Sequence, residues 1–142
     1  MELDELYQDI LLDHFKHPRN YGPLPDAEVL VDELNPTCGD HIRLTARLEN
    51  GRVAEVRFDG KGCAISLASA SMMSELMRGL TPEEARARAV DFVAFMRGEK
   101  DLDPDALGDL AALAGVRQFP LRIKCATMSW HAMEKALQKL GG

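Results

Sequence analysis

The dipeptide Asn50-Gly51 constrains this chain more than any other feature. It separates two alternating runs. Ile42, Leu44, Ala46 and Leu48 interleave with His41, Arg43, Thr45 and Arg47, and Ala54, Val56 and Phe58 interleave with Glu55 and Arg57. A period of two marks a strand with one buried face. Asn-Gly between such runs is the strongest short hairpin signal, because a two-residue primed turn needs positive φ at both positions. Residues 28–34 (Glu28-Val29-Leu30-Val31-Asp32-Glu33-Leu34) read as a further strand just upstream. Three consecutive strands then form an antiparallel sheet with one wet face. In such an up-and-down sheet, the link between the first two strands and the exit from the third lie at the same end.

Chemistry-bearing residues gather at that end. The link is Asn35-Pro36-Thr37-Cys38-Gly39-Asp40, and the exit is Asp59-Gly60-Lys61-Gly62-Cys63. The chain's third cysteine, Cys125, follows Lys124 just after Phe119-Pro120. Thiolates are soft donors that select zinc, copper(I) or iron–sulfur chemistry over magnesium or calcium. Three thiolates and one carboxylate complete a tetrahedron of the kind zinc takes. The residues are therefore expected to converge: Cys38, Asp40, Cys63 and Cys125 on one metal or sulfur site. A carboxylate is more replaceable at a soft site than a fourth cysteine, so the site reads as one that opens. The competing reading is three free cysteines packed as small hydrophobes. Gaps of 25 and 62 residues match no zinc-finger pattern. Local context favours convergence, since each cysteine stands beside Gly or Pro in a loop or at an element end.

Helices surround this sheet. Leu3, Leu6, Tyr7, Ile10 and Leu11 recur at helical spacing over residues 3–16, and Pro18 stops the run. That helix face is expected to pack on the core, with partner docking as the alternative. His14 and His17, near its end, read as solvated or capping residues. Residues 64–78 switch to helical period, which places Cys63 at a helix N-terminus, where free N–H groups and the dipole favour a thiolate. Thr81-Pro82-Glu83-Glu84 is a capping box with proline at the first helical position. That helix is expected to run to about Arg97. Asp103-Pro104 opens another, ending at Gly115. The last is predicted from about Ile123 to Leu140, with Cys125 in its first turn and Trp130 in the core. Strands followed by helices make the fold class α+β: a three-stranded antiparallel sheet packed against several helices.

Composition bounds the function. A length of 142 residues fits one domain, residues 1–142. A net charge of −6 with scattered basic residues disfavours nucleic acid. No window approaches a membrane span. The acidic start Met1-Glu2-Leu3-Asp4-Glu5 is not a signal peptide. An odd cysteine count without a signal points to a reducing compartment, the cytoplasm. No Ser/His/Asp set is evident along the chain, so a hydrolase ranks last.

Several stretches carry a resemblance. Tyr7 with Ile10-Leu11-Leu12-Asp13-His14, then Pro18-Arg19-Asn20, Asn35-Pro36-Thr37-Cys38-Gly39-Asp40, the run from Phe58 through Cys63 to Ser66, Ala68-Ser69-Ala70-Ser71-Met72-Met73, and Arg122-Ile123-Lys124-Cys125 stand in order along nearly the whole chain. They resemble the U-type iron–sulfur cluster assembly proteins, the SufU/IscU/NifU N-terminal family, and imply its SufE/NifU-like fold. The resemblance implies a scaffold or sulfur acceptor working with a cysteine desulfurase and handing on to recipient apo iron–sulfur proteins. It carries the family's ligands onto Cys38, Asp40, Cys63 and Cys125, for Zn2+ or a transient [2Fe–2S] cluster. The aspartate is implied to keep the site labile. Lys124 stands where IscU-type members have histidine. Phe119-Pro120-Leu121-Arg122-Ile123-Lys124 lacks their chaperone-read Leu-Pro-Pro-Val-Lys, and a helical segment over roughly 99–116 is extra. These departures resemble the SufU branch, whose members hold zinc and relay sulfur. Cys38 is expected to be the persulfide acceptor, because a Pro/Gly loop moves more than a helix end. Lys124 is an auxiliary residue, biasing the Cys125 thiolate or simply solvated. The rival from another class is a structural zinc module without sulfur chemistry, whose metal removal would unfold the chain.

Overall fold

The computed structural model describes residues 5–35 and 39–141. Three strands, β1 (Val29–Asn35), β2 (Asp40–Glu49) and β3 (Arg52–Lys61), pair antiparallel in the order β1-β2-β3. Asn50 and Gly51 both take positive φ, 55° and 76°, and Glu49 pairs with Arg52 across them. The hairpin is therefore the expected two-residue primed turn. Ile42, Leu44, Ala46, Val56 and Phe58 are fully buried. One detail departs from strict alternation. A bulge beside Arg47 and Leu48 leaves Ala54 as the extra residue, so Val53 rather than Ala54 enters the core.

Among the described residues, five α-helices accompany the sheet: α1 (Glu5–Lys16), α2 (Ala64–Met77), α3 (Pro82–Met96), α4 (Pro104–Leu107) and α5 (Pro120–Lys139). Helix α5 packs on β1 and β2, and α2 packs on β3 and α5. Many Ala and Ser residues on α2 permit this close approach: Ser66, Ala68, Ser69, Ala70, Ser71 and Ser74 are fully buried. Trp130 on α5 joins three helices. Its ring stacks on Phe92 of α3 at 4.2 Å, and its Nε1–H donates to Ser69 Oγ of α2 at 2.9 Å. Ser69 in turn donates to the Ala126 carbonyl at 2.6 Å. The buried indole therefore has its polar partner.

Three helical expectations need correction. The predicted helix from Asp103-Pro104 to Gly115 is α-helical only to Leu107. Gly108, at φ 58°, breaks it, and 3₁₀ turns run over Gly108–Gln118. Helix α5 begins at Pro120, three residues before the expected start, because proline at the first helical position is pre-organised there. Cys125 therefore lies in the second turn, past the reach of the dipole argument. The capping box of α3 forms as read, with Thr81 and Glu84 each accepting from the other's backbone N–H. Finally, His14 is not solvated but 1% exposed. Among the described residues, no helix is long and apolar enough to cross a membrane.

Candidate metal centre

The ends of the sheet place the site. Asn35 closes β1 and pairs with Asp40, which opens β2. His41 pairs with Lys61, the last residue of β3, and Cys63 follows two residues later as the N-cap of α2. Two glycines make this junction close. Gly60 takes φ 127° directly against the His41 carbonyl, and Gly62 lies over the Asp40 carboxylate. Helix α5 crosses the same end and supplies Cys125. One oxygen of Asp40 and the sulfurs of Cys63 and Cys125 all lie within 4.8 Å of one another. Cys38 lies outside the described residues.

Asp40 is 3% exposed, yet both its oxygens have donors. Oδ1 accepts the Cys63 backbone N–H at 3.1 Å, and Oδ2 accepts the Ser66 hydroxyl at 2.6 Å. Buried carboxylates require such partners. The Cys63 sulfur is half-buried at the mouth, 3.9 Å from Asp40 Oδ2, and accepts the Ser66 backbone N–H at 3.5 Å. That contact is an N-cap with sulfur in place of the usual oxygen, at the positive end of α2. Cys125 is buried.

A cation faces these sulfurs. Arg122, one turn before Cys125 on α5, sets its guanidinium against both thiols. Coulombic attraction to Cys63, and then a hydrogen bond with Cys125, raises its pKa above the usual arginine value. The sequence left Lys124 open between such a role and simple solvation. Lys124 is exposed and lines a groove of about 780 Å³ between β1 and α5, together with Leu34, Asn35, Ile123 and Met128. Arg122 was missed because helical i, i+3 facing is legible only once the helix start is known. Ser66 was missed because one serine in a small-residue helix looks like packing.

The donor set fits zinc. Tetrahedral Zn–S and Zn–O bonds put neighbouring ligand atoms about 3.5–3.8 Å apart. The Asp40–Cys63 separation of 3.9 Å is already near that value. Soft sulfur with one hard oxygen suits zinc or iron rather than calcium or magnesium.

The histidines stand elsewhere. His14 on α1 meets Ser71 Oγ of α2 through Nδ1 at 2.7 Å and Asp109 Oδ2 through Nε2 at 2.9 Å. A Ser/His/Asp set thus does assemble, from residues spread along 95 positions. It is no nucleophilic triad, because Ser71 is fully buried and its oxygen already accepts the Arg19 N–H at 2.9 Å. It ties α1, α2 and the 3₁₀ segment together. His41 pairs with Asp32 on the wet face of the sheet.

Comparison with known proteins agrees with this geometry. Residues 6–126 match the NifU-like N-terminal domain. The zinc-dependent sulfurtransferase SufU of Bacillus subtilis (strain 168) is 49% identical over 140 residues, covering 99% of this chain and 95% of that protein. The iron–sulfur cluster assembly scaffold protein IscU of Streptococcus pyogenes serotype M1 is 40% identical over 138 residues, covering 97% of this chain and 86% of its own length. The N-terminal part of a nitrogen-fixing NifU-like protein from Brucella abortus shares the fold at a TM-score of 0.86 and 19% identity, covering 97% of this chain and 96% of that one.

Proposed function

The chain belongs to the NifU-like N-terminal domain family, and from that premise we propose that it accepts sulfur from a cysteine desulfurase for iron–sulfur cluster assembly, at a site of Cys38, Asp40, Cys63 and Cys125. The observation that carries this reading is the meeting of Asp40, Cys63 and Cys125 from three separate elements within 4.8 Å. Cys38 is tethered two residues before Asp40 in the chain.

In the proposed step, the Cys38 thiolate attacks the outer sulfur of the desulfurase persulfide. The persulfide's S–S bond breaks, and the desulfurase cysteine leaves as a thiolate. A new S–S bond forms on Cys38, and the outer sulfur keeps its proton. Bound zinc supplies the charge that keeps the coordinating thiols deprotonated at neutral pH. Cys38, Asp40, Cys63 and Cys125 would hold the metal, and Asp40, as the weakest of the four donors, would be the one to exchange. Cys63 and Cys125 hold their places, one on the cap of α2 and one inside α5. Arg122 keeps a positive charge beside the sulfurs as anionic groups arrive and leave. Lys124, on the groove rim, is an auxiliary charge. The recipients are apo iron–sulfur proteins or other assembly proteins, in the cytoplasm.

A second reading uses the same four donors to hold a transient [2Fe–2S] cluster as cargo, and the likeness to IscU scaffolds supports it. A structural zinc module is not favoured, since its metal would need no replaceable carboxylate.

Metal content after anaerobic, chelator-free purification tests the proposal, with wild type beside Cys125→Ser. About one zinc per chain, lost in the variant, is the expected result. Persulfide labelling after desulfurase turnover should mark Cys38. Iron, sulfide and colour would favour the cluster-holding reading. Absence of metal from wild type, or label retained on Cys38→Ser, would overturn the assignment.

A further inference from the structure

Ser66 is buried and is not among the four donors. Its hydroxyl lies 2.6 Å from Asp40 Oδ2 and 3.5 Å from Cys63 Sγ. The shorter distance is that of a charge-assisted hydrogen bond. A hydroxyl carries one proton. Two anionic donors of the same site, a carboxylate and a thiolate, therefore compete for it. Besides this hydroxyl, Asp40 Oδ2 has the long contact to Cys63 Sγ at 3.9 Å, and the carboxylate is 3% exposed to water.

We infer that Ser66 is a positioning residue that makes Asp40 replaceable, by receiving the carboxylate whenever it detaches from the metal. The inference rests on the four-donor reading of the site. A hydrogen bond to a bare carboxylate is stronger than one to a carboxylate whose charge a cation already neutralises. Ser66 therefore stabilises the detached state of Asp40 more than the attached state. Without the hydroxyl, a detached Asp40 would leave Oδ2 buried with only the long, weak contact to Cys63 Sγ, which is costly. Asp40 would then leave the metal more slowly. With Ser66 in place, its hydroxyl donates to Oδ2 while Asp40 is detached and is free to turn toward Cys63 Sγ while Asp40 is attached.

The sign of the effect separates this role from ordinary support. Where an outer-sphere group merely orients a ligand, its loss weakens metal binding by about tenfold to hundredfold. The inference requires the opposite. The experiment follows transfer of zinc from the full-length, zinc-loaded protein to an excess of a chromophoric chelator, for wild type, Ser66→Ala and Ser66→Thr. Circular dichroism verifies that each variant is folded. Ser66→Ala is expected to release zinc about fivefold to tenfold more slowly. Ser66→Thr, which keeps a hydroxyl, should release it within about twofold of the wild-type rate. Release from Ser66→Ala at the wild-type rate or faster overturns the inference, as does release from Ser66→Thr as slow as from Ser66→Ala. A wild type that binds no zinc would instead overturn the four-donor reading, so the two failures are distinct.

Discussion

Replacing Gly60 by alanine tests whether the sheet end positions the site. A methyl group at residue 60 would lie 2.0 Å from the His41 carbonyl oxygen and 3.0 Å from its carbon. Ordinary carbon–oxygen contacts are no closer than about 3.3 Å. The neighbouring atoms are backbone, so no side chain can swing aside. Strands β2 and β3 must part by more than about 1 Å at the Ile42–Gly60 pair, beyond what a ladder hydrogen bond tolerates. Losing about two such bonds costs about 2 kcal/mol. Holding alanine at φ 127° adds about 1–3 kcal/mol. The sum, about 3–5 kcal/mol, is a large share of the 5–15 kcal/mol typical of a domain. Thermal unfolding followed by circular dichroism should show the midpoint lowered by about 10–20 °C. Zinc content should fall with it, since the parted pair lies between Asp40 and Cys63. A midpoint within about 3 °C of wild type would refute the reasoning. Gly62→Ala is the contrasting control. Its φ is ordinary, and its methyl would meet Ser66 Cβ at 3.1 Å and Asp40 Oδ1 at 3.3 Å. It should disturb the carboxylate and metal exchange while leaving the melt nearly unchanged.

Three further outcomes are expected. Thr81→Ala removes the side-chain half of the α3 capping box and should cost about 1 kcal/mol, read by urea denaturation; an unchanged midpoint would count against the cap. Asp40→Ala deletes the most replaceable donor, so a reconstituted [2Fe–2S] cluster should persist longer, followed by its visible absorbance; faster decay would contradict the role given to Asp40. The hydrogen bond from His41, with Arg43 nearby, holds the Asp32 carboxyl below the usual carboxylate range. Its contribution to stability is thus present above the unfolded pKa of about 4 and is lost as pH falls through the lower folded value. Melting of Asp32→Asn should therefore fall less steeply than wild type on acidification below about pH 4, with the difference shrinking in high salt because the pair is exposed.

Local chemistry was legible in the sequence wherever neighbours in the chain are neighbours in space. Asn50-Gly51 specifies its turn through φ at two adjacent residues, and the alternation around it specifies which side of the sheet is wet. The Thr81–Glu84 box closes within four residues. The chain order of three short-linked strands alone puts Asp40, at the start of β2, and the Cys63 exit at one sheet end. The tertiary structure decided what depends on distant partners and exact helical phase. The start of α5 at Pro120 moves Cys125 out of the first turn and turns Arg122, not Lys124, toward the sulfurs. Gly108 cuts α4 short, since a left-handed residue ends an α-helix whatever the apolar spacing beyond it. His14 reads as a helix-end polar residue until Ser71 and Asp109 arrive to satisfy both ring nitrogens in the core. Ser66 reads as packing until β2 brings Asp40 to its hydroxyl. A hydrogen bond between residues 26 positions apart has no local signature, because the partner's position is set by the sheet and not by the helix that carries the serine.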